Sequence, residues 1–213
     1  MKFLKNLLLV LVAAFALVGC GKKDPVEPQG DGTTFRDVTV ADTSLDSIGA
    51  GHKVYVTSIG QKSFSYGASL VCDDAEIETE NGDDEDASTL AAADVENGSV
   101  VVIVIGWSGK GLTESGVTQA SENARADAFK TRAQAGEISL VIVTLDGKDT
   151  RGTNTDGLLT KLLPVAKVAL MFEDGTTNGF NYDGQISTFA NGTPVYFYTD
   201  ETDMVPSFEF MLK

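Results

Sequence analysis

The residues with the clearest chemical potential lie in one stretch, GWSGKGLTESG at 106–116, directly after an apolar run. It holds four glycines, one tryptophan and one lysine. Glycine amides and a lysine charge suit an anionic ligand, and the Trp107 ring either stacks on a planar ligand or packs against the fold. The spacing excludes a Walker A loop, because Val104 stands where the first glycine is required and Gly111 where Ser or Thr is required. We therefore expect a ligand-facing loop that does not bind a nucleoside triphosphate.

Lys110 and Arg151 are the two cations expected beside such a ligand, because both follow predicted strands. The alternative is that they neutralise nearby carboxylates such as Asp146 and Asp149. The other candidate ligand residues are glycine, polar, aromatic or acidic positions in similar loops: Gln61, Ser63, Trp107, Ser108, Gly109, Gly111, Asp156 and Asn178. In this interpretation the glycine amides donate hydrogen bonds, the polar side chains orient the ligand and the tryptophan covers it.

The positions of the remaining reactive residues disfavour nucleophilic catalysis, and their spacing disfavours a metal site. The single histidine, His52, precedes the first predicted strand, and Cys72 falls late in the first predicted helix, so neither lies near the loop at 106–116. The acidic run NGDDEDA at 81–87 lacks the spacing of a calcium loop, and the sequence has no Cys/His cluster for zinc. An acid–base pair of Asp146 and Asp174 stays open as an enzymatic alternative.

The elements that must position these residues alternate between apolar runs and helix-like segments from residue 52 onward. The runs at 100–105 and 140–145 are continuously apolar, which is typical of strands buried on both faces of a parallel sheet. Shorter or weaker runs lie at 52–60, 75–80, 167–173 and 194–199. The alternation predicts an α/β fold: a three-layer, doubly wound, mostly parallel sheet of the flavodoxin or Rossmann type. The expected strand order is 2-1-3-4-5, with 194–199 as the last strand or an added edge.

Besides the helix expected to contain Cys72, three helices are predicted between the strands, at 118–135, 156–163 and 183–190. In the first, Thr118 or Ser121 is the expected N-cap, and Gly136 follows the end. Its expected buried face consists of Ala120, Ala124, Ala128 and either Ala133 or Phe129. In the second, Thr155 or Asp156 is the expected N-cap, and Pro164 ends the helix.

Parallel topology fixes where a ligand binds. In open parallel sheets, ligands lie outside the carboxyl ends of the strands, where the strand order reverses, which here is between the first and third strands. The loops at that edge are 58–63, 106–116, 145–157 and 173–184. They contain the candidate residues named above.

The N-terminus predicts an exported lipoprotein. Lys2 and Lys5 precede an apolar segment at 7–18, and the sequence LVGC ending at Cys20 forms a lipobox. The apolar segment is shorter than the roughly 20 residues that a membrane-spanning helix needs. We therefore expect residues 1–19 to be a signal peptide that is cleaved before an acylated Cys20.

Domain organisation follows from this anchor. Pro, Gly and polar residues predominate over 20–50, which predicts a flexible tether in which 35–40 either remains free or docks as an edge strand. We expect 51–213 to form a single α/β domain. Cleavage removes Lys2 and Lys5 but no acidic residue, so the formal net charge changes from −15 to −17.

Such an acidic protein repels nucleic acid and anionic lipid headgroups, so we expect no nucleic-acid partner. The lipid on Cys20 then holds it at the extracytoplasmic side of the cell membrane. A flavin is disfavoured because an exported chain would have to acquire it outside the cytoplasm. We therefore expect no cofactor.

Ordered motifs in the loops carry a family resemblance. They comprise TSIGQ from Thr57, WSGKGL from Trp107, DG and TRG from Asp146 and Thr150, and GTTNGF from Gly175. With them the chain resembles the domain-of-unknown-function family 6305, a group of bacterial exported domains with no assigned activity, over residues 52–200. The resemblance implies a Rossmann-like fold and carries over these motif positions: Ser108, Lys110, Gly111, Arg151, Gly152, Asp156 and Gly179. The sequence departs from the family pattern at Gly109, 149–150 and 176–178.

Together these features predict a membrane-anchored protein that binds a small polar or anionic molecule at the carboxyl edge of the sheet. We favour binding over catalysis. The alternatives are an exported hydrolase or transferase that uses carboxylates at this edge, and a protein-interaction module. Paired carboxylates about 5–9 Å apart in a cleft favour glycosidase-like chemistry, whereas a broad apolar patch favours an interaction module.

Replacing Cys20 tests the anchor. We expect Cys20→Ala to abolish acylation and move the protein from the membrane fraction to the soluble extracytoplasmic fraction, because no basic patch is expected to replace the lipid. The measurement is fractionation together with the intact mass of the mature chain. Cys72→Ala is the matched control and should remain in the membrane fraction; an unchanged distribution of Cys20→Ala would contradict the prediction.

Overall fold

The computed structural model describes residues 35–37, 47–81, 87–145, 152–172, 190–198 and 203–213. In these residues six strands form one sheet, and every neighbouring pair is parallel. The strands are β1 Phe35–Asp37, β2 Val54–Ile59, β3 Val100–Ile105, β4 Ser139–Thr144, β5 Val168–Phe172 and β6 Val195–Tyr198. Their order is β1-β6-β5-β4-β3-β2. The predicted α/β fold with a parallel sheet is confirmed.

Five helices in the described residues cover the sheet on both faces: α1 Ser63–Asp74, α2 Gly109–Ser115, α3 Gln119–Gln134, α4 Thr153–Leu162 and α5 Met204–Leu212. Short 3-10 turns lie at Ala87–Thr89, Ala92–Asp94 and Leu163–Val165. Helices α1 and α5 pack with one sheet face, and α3 and α4 pack with the other. The three layers are therefore those that the alternating pattern predicts.

The central strands explain this layering. All six residues of β3 are buried, and they alternate between two cores. Ile103 and its odd-numbered neighbours face α3 and α4, and Val102 and its even-numbered neighbours face α1 and α5. A strand with apolar residues on both faces needs cover on both faces, so the continuous run dictates the helix layers.

The predicted second strand, 75–80, is reduced to a single parallel bridge between Val54 and Thr79. The order of the other predicted strands holds, because β2, β3, β4 and β5 are successive neighbours. The run at 194–199 supplies β6 beside β5, and β1 lies outside it as an added edge strand. The 75–80 segment still lies on the outer side of β2, so the sheet order reverses between β2 and β3 as expected.

The predicted tether contacts the domain in two places. Residues 35–37 form β1, so the edge-strand alternative for this segment is confirmed. The amide of Gly49 donates to the carbonyl of Met211 at 2.9 Å, and a side chain at Gly49 would clash with the backbone of Leu212. The contacts of Gly49 are with α5, a helix that the sequence pattern did not predict, whereas β1 pairs with β6.

The helices between the strands agree only in part with those predicted from the sequence. Thr118 caps α3 in a capping box with Ser121, and Gly136 follows the helix with φ of 71°, as expected. The predicted buried face of α3 is wrong at its first three positions, because the buried residues are Glu122, Ala126 and Phe129. Phe129, the predicted alternative to Ala133, is buried as expected. The predicted positions Ala120, Ala124 and Ala128 are exposed.

Helix α4 begins earlier than predicted. Its N-cap is Gly152 and makes no side-chain cap hydrogen bond, so the expected caps Thr155 and Asp156 lie inside the helix. The α-helix ends at Leu162, two residues before Pro164, as expected. The predicted helix at 183–190 falls almost entirely outside the described residues.

Phe129→Ala tests the corrected face of α3. The ring is fully buried among residues of the sheet and α4, so we expect its loss to lower the free energy of unfolding by about 3–5 kcal/mol. The measurement is urea denaturation followed by circular dichroism. The exposed neighbour Ala128→Ser is the control, with an expected change within about 0.5 kcal/mol; similar losses in both variants would contradict the assignment.

Candidate functional site

The ends of β2 and β3 approach each other closely at two glycines. Gly60 has φ of 100°, and a side chain there would clash with the carbonyl oxygen of Gly106. The amide of Gly106 donates to Ile59 at 3.3 Å, and the amide of Ser108 donates to Gly60 at 3.2 Å. The two loops after these strands are thus joined through their backbones. We call residues 60–63 and 106–111 the switch site, because they lie where the strand order reverses.

The second loop of the switch site is largely helical. The sequence predicts a ligand loop at 106–116, but Gly109–Ser115 forms α2. Ser108 is the N-cap of α2, and its hydroxyl accepts a hydrogen bond from the amide of Gly111 at 3.1 Å. Ser108 and the Gly111 amide, both expected to face a ligand, therefore bond to each other in this structure. Gly109 has open space around it, since a side-chain carbon there would meet nothing within 4 Å.

The first loop packs against the second. Gln61 donates from its side-chain amide to the hydroxyl of Ser63 at 2.8 Å. A side-chain carbon at Gly111 would lie 3.1 Å from Cγ of Gln61. The structure therefore brings Gln61, Ser63, Ser108 and Gly111 into one neighbourhood, as the predicted topology requires.

Trp107 is half-buried and packs against the core under α3 and α4. Its Cε3 atom would lie 3.2 Å from a side-chain carbon at Gly60. The ring therefore supports the close approach of the two loops, in agreement with the packing alternative. It is the single tryptophan of the chain, so its fluorescence reports on the switch site.

A buried carboxylate on α3 binds the backbone of the turn at Gly60. Glu122, in the first turn of α3, is 2 % exposed, and its Oε2 accepts a hydrogen bond from the amide of Gly60 at 2.8 Å. Its Oε1 lies 3.5 Å from Nε of Arg125. Arg125 donates to the carbonyl oxygens of Ser58 and Ser88. Burial lowers the pKa of the Arg125 guanidinium, and the charge of Glu122 opposes that shift.

Two helix N-termini and two lysines lie at this edge in the described residues. Helices α1 and α4 begin there with 12 and 10 residues respectively, and neither has a side-chain cap among the described residues. The N-terminus of a helix carries a partial positive charge and amides that point outward. Lys62 directly precedes α1, and the exposed Lys110 lies in α2. Asp156, in the first turn of α4, is the predicted site residue with the opposite charge.

Other predicted residues fall outside the described part of the chain. These are Arg151, Asn178 and Cys20, together with the carboxylate pair Asp146 and Asp174 of the enzymatic alternative. His52 is exposed just before β2, and Cys72 is buried in the last turn of α1, so both lie away from the switch site as expected. Among the described residues, no group of three or more His, Cys, Asp or Glu side chains is arranged to hold a metal ion.

Glu122, Arg125 and Lys62 are not among the site residues predicted from the sequence. Glu122 does share a helical face with Ala126 and Phe129, at spacings of four and seven residues, but a charged residue is normally assigned to solvent. Lys62 lies within the loop at 58–63, directly before α1, and that position is the signal that could have added it to the candidate residues.

The chain matches the family model described as Domain of unknown function (DUF6305) over residues 51–211. No curated protein and no solved structure matches the chain. Within the described residues, no helix combines the length and apolar character needed to cross a membrane.

Thiol chemistry gives a direct test of the position of Cys72. Burial raises the pKa of this thiol to about 12, with a smaller contribution from Asp73, so almost none of it is thiolate at neutral pH. We expect the native protein with Cys20 acylated to react with a thiol reagent only on unfolding, at a rate that follows denaturant concentration. A Ser63→Cys variant, exposed at the other end of α1, should react at once. Equal rates would contradict the burial of Cys72.

Proposed function

The chain belongs to the DUF6305 family of domains of unknown function, and on that premise we propose that it binds a small anionic molecule at the switch site. The observation that carries the proposal is the junction of the loops after β2 and β3, where the chain passes from the single bridge of the 75–80 segment on the outer side of β2 to β3 on its inner side. In open α/β sheets this point is the general location of ligand sites.

Backbone groups supply the first part of the recognition. The N-terminus of α1 lies directly after Gln61 and Lys62, and no described side chain caps it. The amides of Phe64 and Ser65 donate to the carbonyls of Gln61 and Lys62 at 3.4 and 3.2 Å, so this part of the proposal relies on the helix dipole, which favours a negatively charged phosphate, sulfate or carboxylate group. The small residues around Gly109 leave room for such a group to approach.

Lysines supply the second part. Lys62 and Lys110 lie on the two loops that meet at the switch site, one before α1 and one in α2. A charge-assisted hydrogen bond from an ammonium group is about twice as strong as a neutral one. Arg151, predicted from the sequence for the same role, adds a third cation in this proposal.

The location of the protein is part of the proposal. The lipobox at Cys20 and the preceding apolar segment support an extracytoplasmic, lipid-anchored protein. The segment of 20–34 between Cys20 and β1 then separates the membrane from the domain. In this arrangement the ligand comes from the extracytoplasmic space.

Native mass spectrometry of the purified domain is the first test, because a bound anion adds its mass to the protein. The second is a titration with inorganic phosphate followed by Trp107 fluorescence. We expect saturable binding by the natural protein and affinity at least about 100-fold weaker in the Lys62→Ala, Lys110→Ala double variant, since each of the two lost charge-assisted bonds is worth about 1.5–3 kcal/mol.

Lys167→Ala is the matched control, because Lys167 is an exposed lysine directly before β5, at the opposite edge of the sheet. It removes one positive charge and should leave the affinity for phosphate unchanged. Equal loss in the control and the double variant would show that net charge alone matters, and absence of any saturable binding would refute the proposal. Arg151→Ala, titrated in the same way, tests the role predicted for that residue.

A further inference from the structure

We propose that Glu122 is a positioning residue of the switch site: its carboxylate fixes the Gly60 turn and thereby the ligand-binding loop that follows. The inference rests on the proposed function for its effect on binding. Its structural part, the control of the Gly60 turn by Glu122, is tested independently of any ligand.

The geometry joins Glu122 to both loops through one residue. The amide of Gly60 donates to Glu122 Oε2 at 2.8 Å, and the carbonyl of Gly60 accepts from the amide of Ser108 at 3.2 Å. Both polar backbone groups of Gly60 are therefore fixed. Because φ of Gly60 is 100°, only glycine adopts this turn without strain. A glycine without these hydrogen bonds would have wide conformational freedom. The bond from Glu122 removes that freedom immediately before Gln61 and Lys62.

Several contacts around Glu122 hold its side chain in position. Arg125, one helical turn away, lies beside the carboxylate and donates to the carbonyls of Ser58 in β2 and Ser88 in the 3-10 turn at 87–89. Thr57 also binds this turn, through a hydrogen bond from its hydroxyl to Ala87 at 2.6 Å. Helix α3 thus holds the end of β2, the neighbouring turn and Gly60 in one arrangement.

The pair is poorly arranged for stability alone. Glu122 Oε1 and Arg125 Nε have no hydrogen-bond partner, although both atoms are buried and only 3.5 Å apart. A buried ion pair is often no more stabilising than apolar residues of the same size, and its best-supported use is to specify one conformation. We infer that the carboxylate is present because it holds the Gly60 amide, and that Arg125 balances its charge.

Two conservative substitutions separate these roles. Glu122→Gln keeps an oxygen within reach of the Gly60 amide but removes the charge that faces Arg125. Glu122→Asp keeps the charge but shortens the side chain by one methylene, so the carboxylate no longer reaches Gly60. If Glu122 positions the turn, Glu122→Gln retains phosphate affinity within about threefold, and Glu122→Asp loses about tenfold or more.

Arg132→Ala is the stability control. Arg132 lies on the same helix and donates to the carbonyls of Ala92 and Val95, away from the switch site, and forms an ion pair with Glu137. Its loss should lower the melting temperature without changing phosphate affinity. A fall in affinity that follows melting temperature across all three variants would overturn the positioning role.

Hydrogen exchange at the Gly60 amide supplies the readout that needs no ligand. Protection of this amide should persist in Glu122→Gln and fall at least about tenfold in Glu122→Asp. The reverse order, with protection kept in Glu122→Asp and lost in Glu122→Gln, would overturn the inference. If exchange follows the expected order but the natural protein does not bind phosphate, the proposed function fails while the control of the Gly60 turn by Glu122 stands.

Discussion

The contact between Gly60 and Gly106 is the constraint on which the carboxyl edge depends. Neither residue has room for a side chain, because one at Gly60 would clash with Gly106 and one at Gly106 with Phe64. Parallel strands diverge into separate crossovers, so nothing in the sheet itself keeps their following loops together. Here the two glycines allow the loops to share hydrogen bonds, and the helices α1 and α2 begin beside one another as a result.

The outer edge of β2 shows how the chain completes a sheet without another full strand. The carbonyl of Val54 accepts from the amide of Glu80, and the side chain of Asn81 bonds both backbone groups of Val56. Arg125 donates a hydrogen bond to the carbonyl of Ser58, and Glu122 accepts one from the amide of Gly60. An exposed edge would invite pairing with another chain. The same side chains that close this edge therefore connect α3 to the switch site.

The fold could be predicted because the pattern of apolar residues within single segments indicates strands and helices. The site could be predicted only where its position follows from the fold. Continuous aliphatic residues in β3 and β4 dictate burial on both faces, and parallel topology then gives the position of the switch site. The weak run at 75–80 is predicted as a full strand, but whether such a segment forms a ladder depends on the competing side chains of Asn81 and Arg125, which bond to β2. The face of α3 could not be assigned from alanines that fit either side, and the burial of Glu122 depends on a partner amide 62 residues away.

The acidic charge of the protein gives this arrangement a further consequence. A formal net charge of −15 for the whole chain produces a field that opposes the approach of any anion. The proposed binding of an anion therefore requires local attraction, from helix termini and lysines that act within about a Debye length, roughly 8 Å at physiological ionic strength. An unbalanced carboxylate 2.8 Å from the Gly60 amide would cancel that attraction, and Arg125 prevents this by placing a positive charge beside Glu122. Burial of the pair as a unit thus lets a carboxylate hold the turn without repelling the ligand that the turn is proposed to bind.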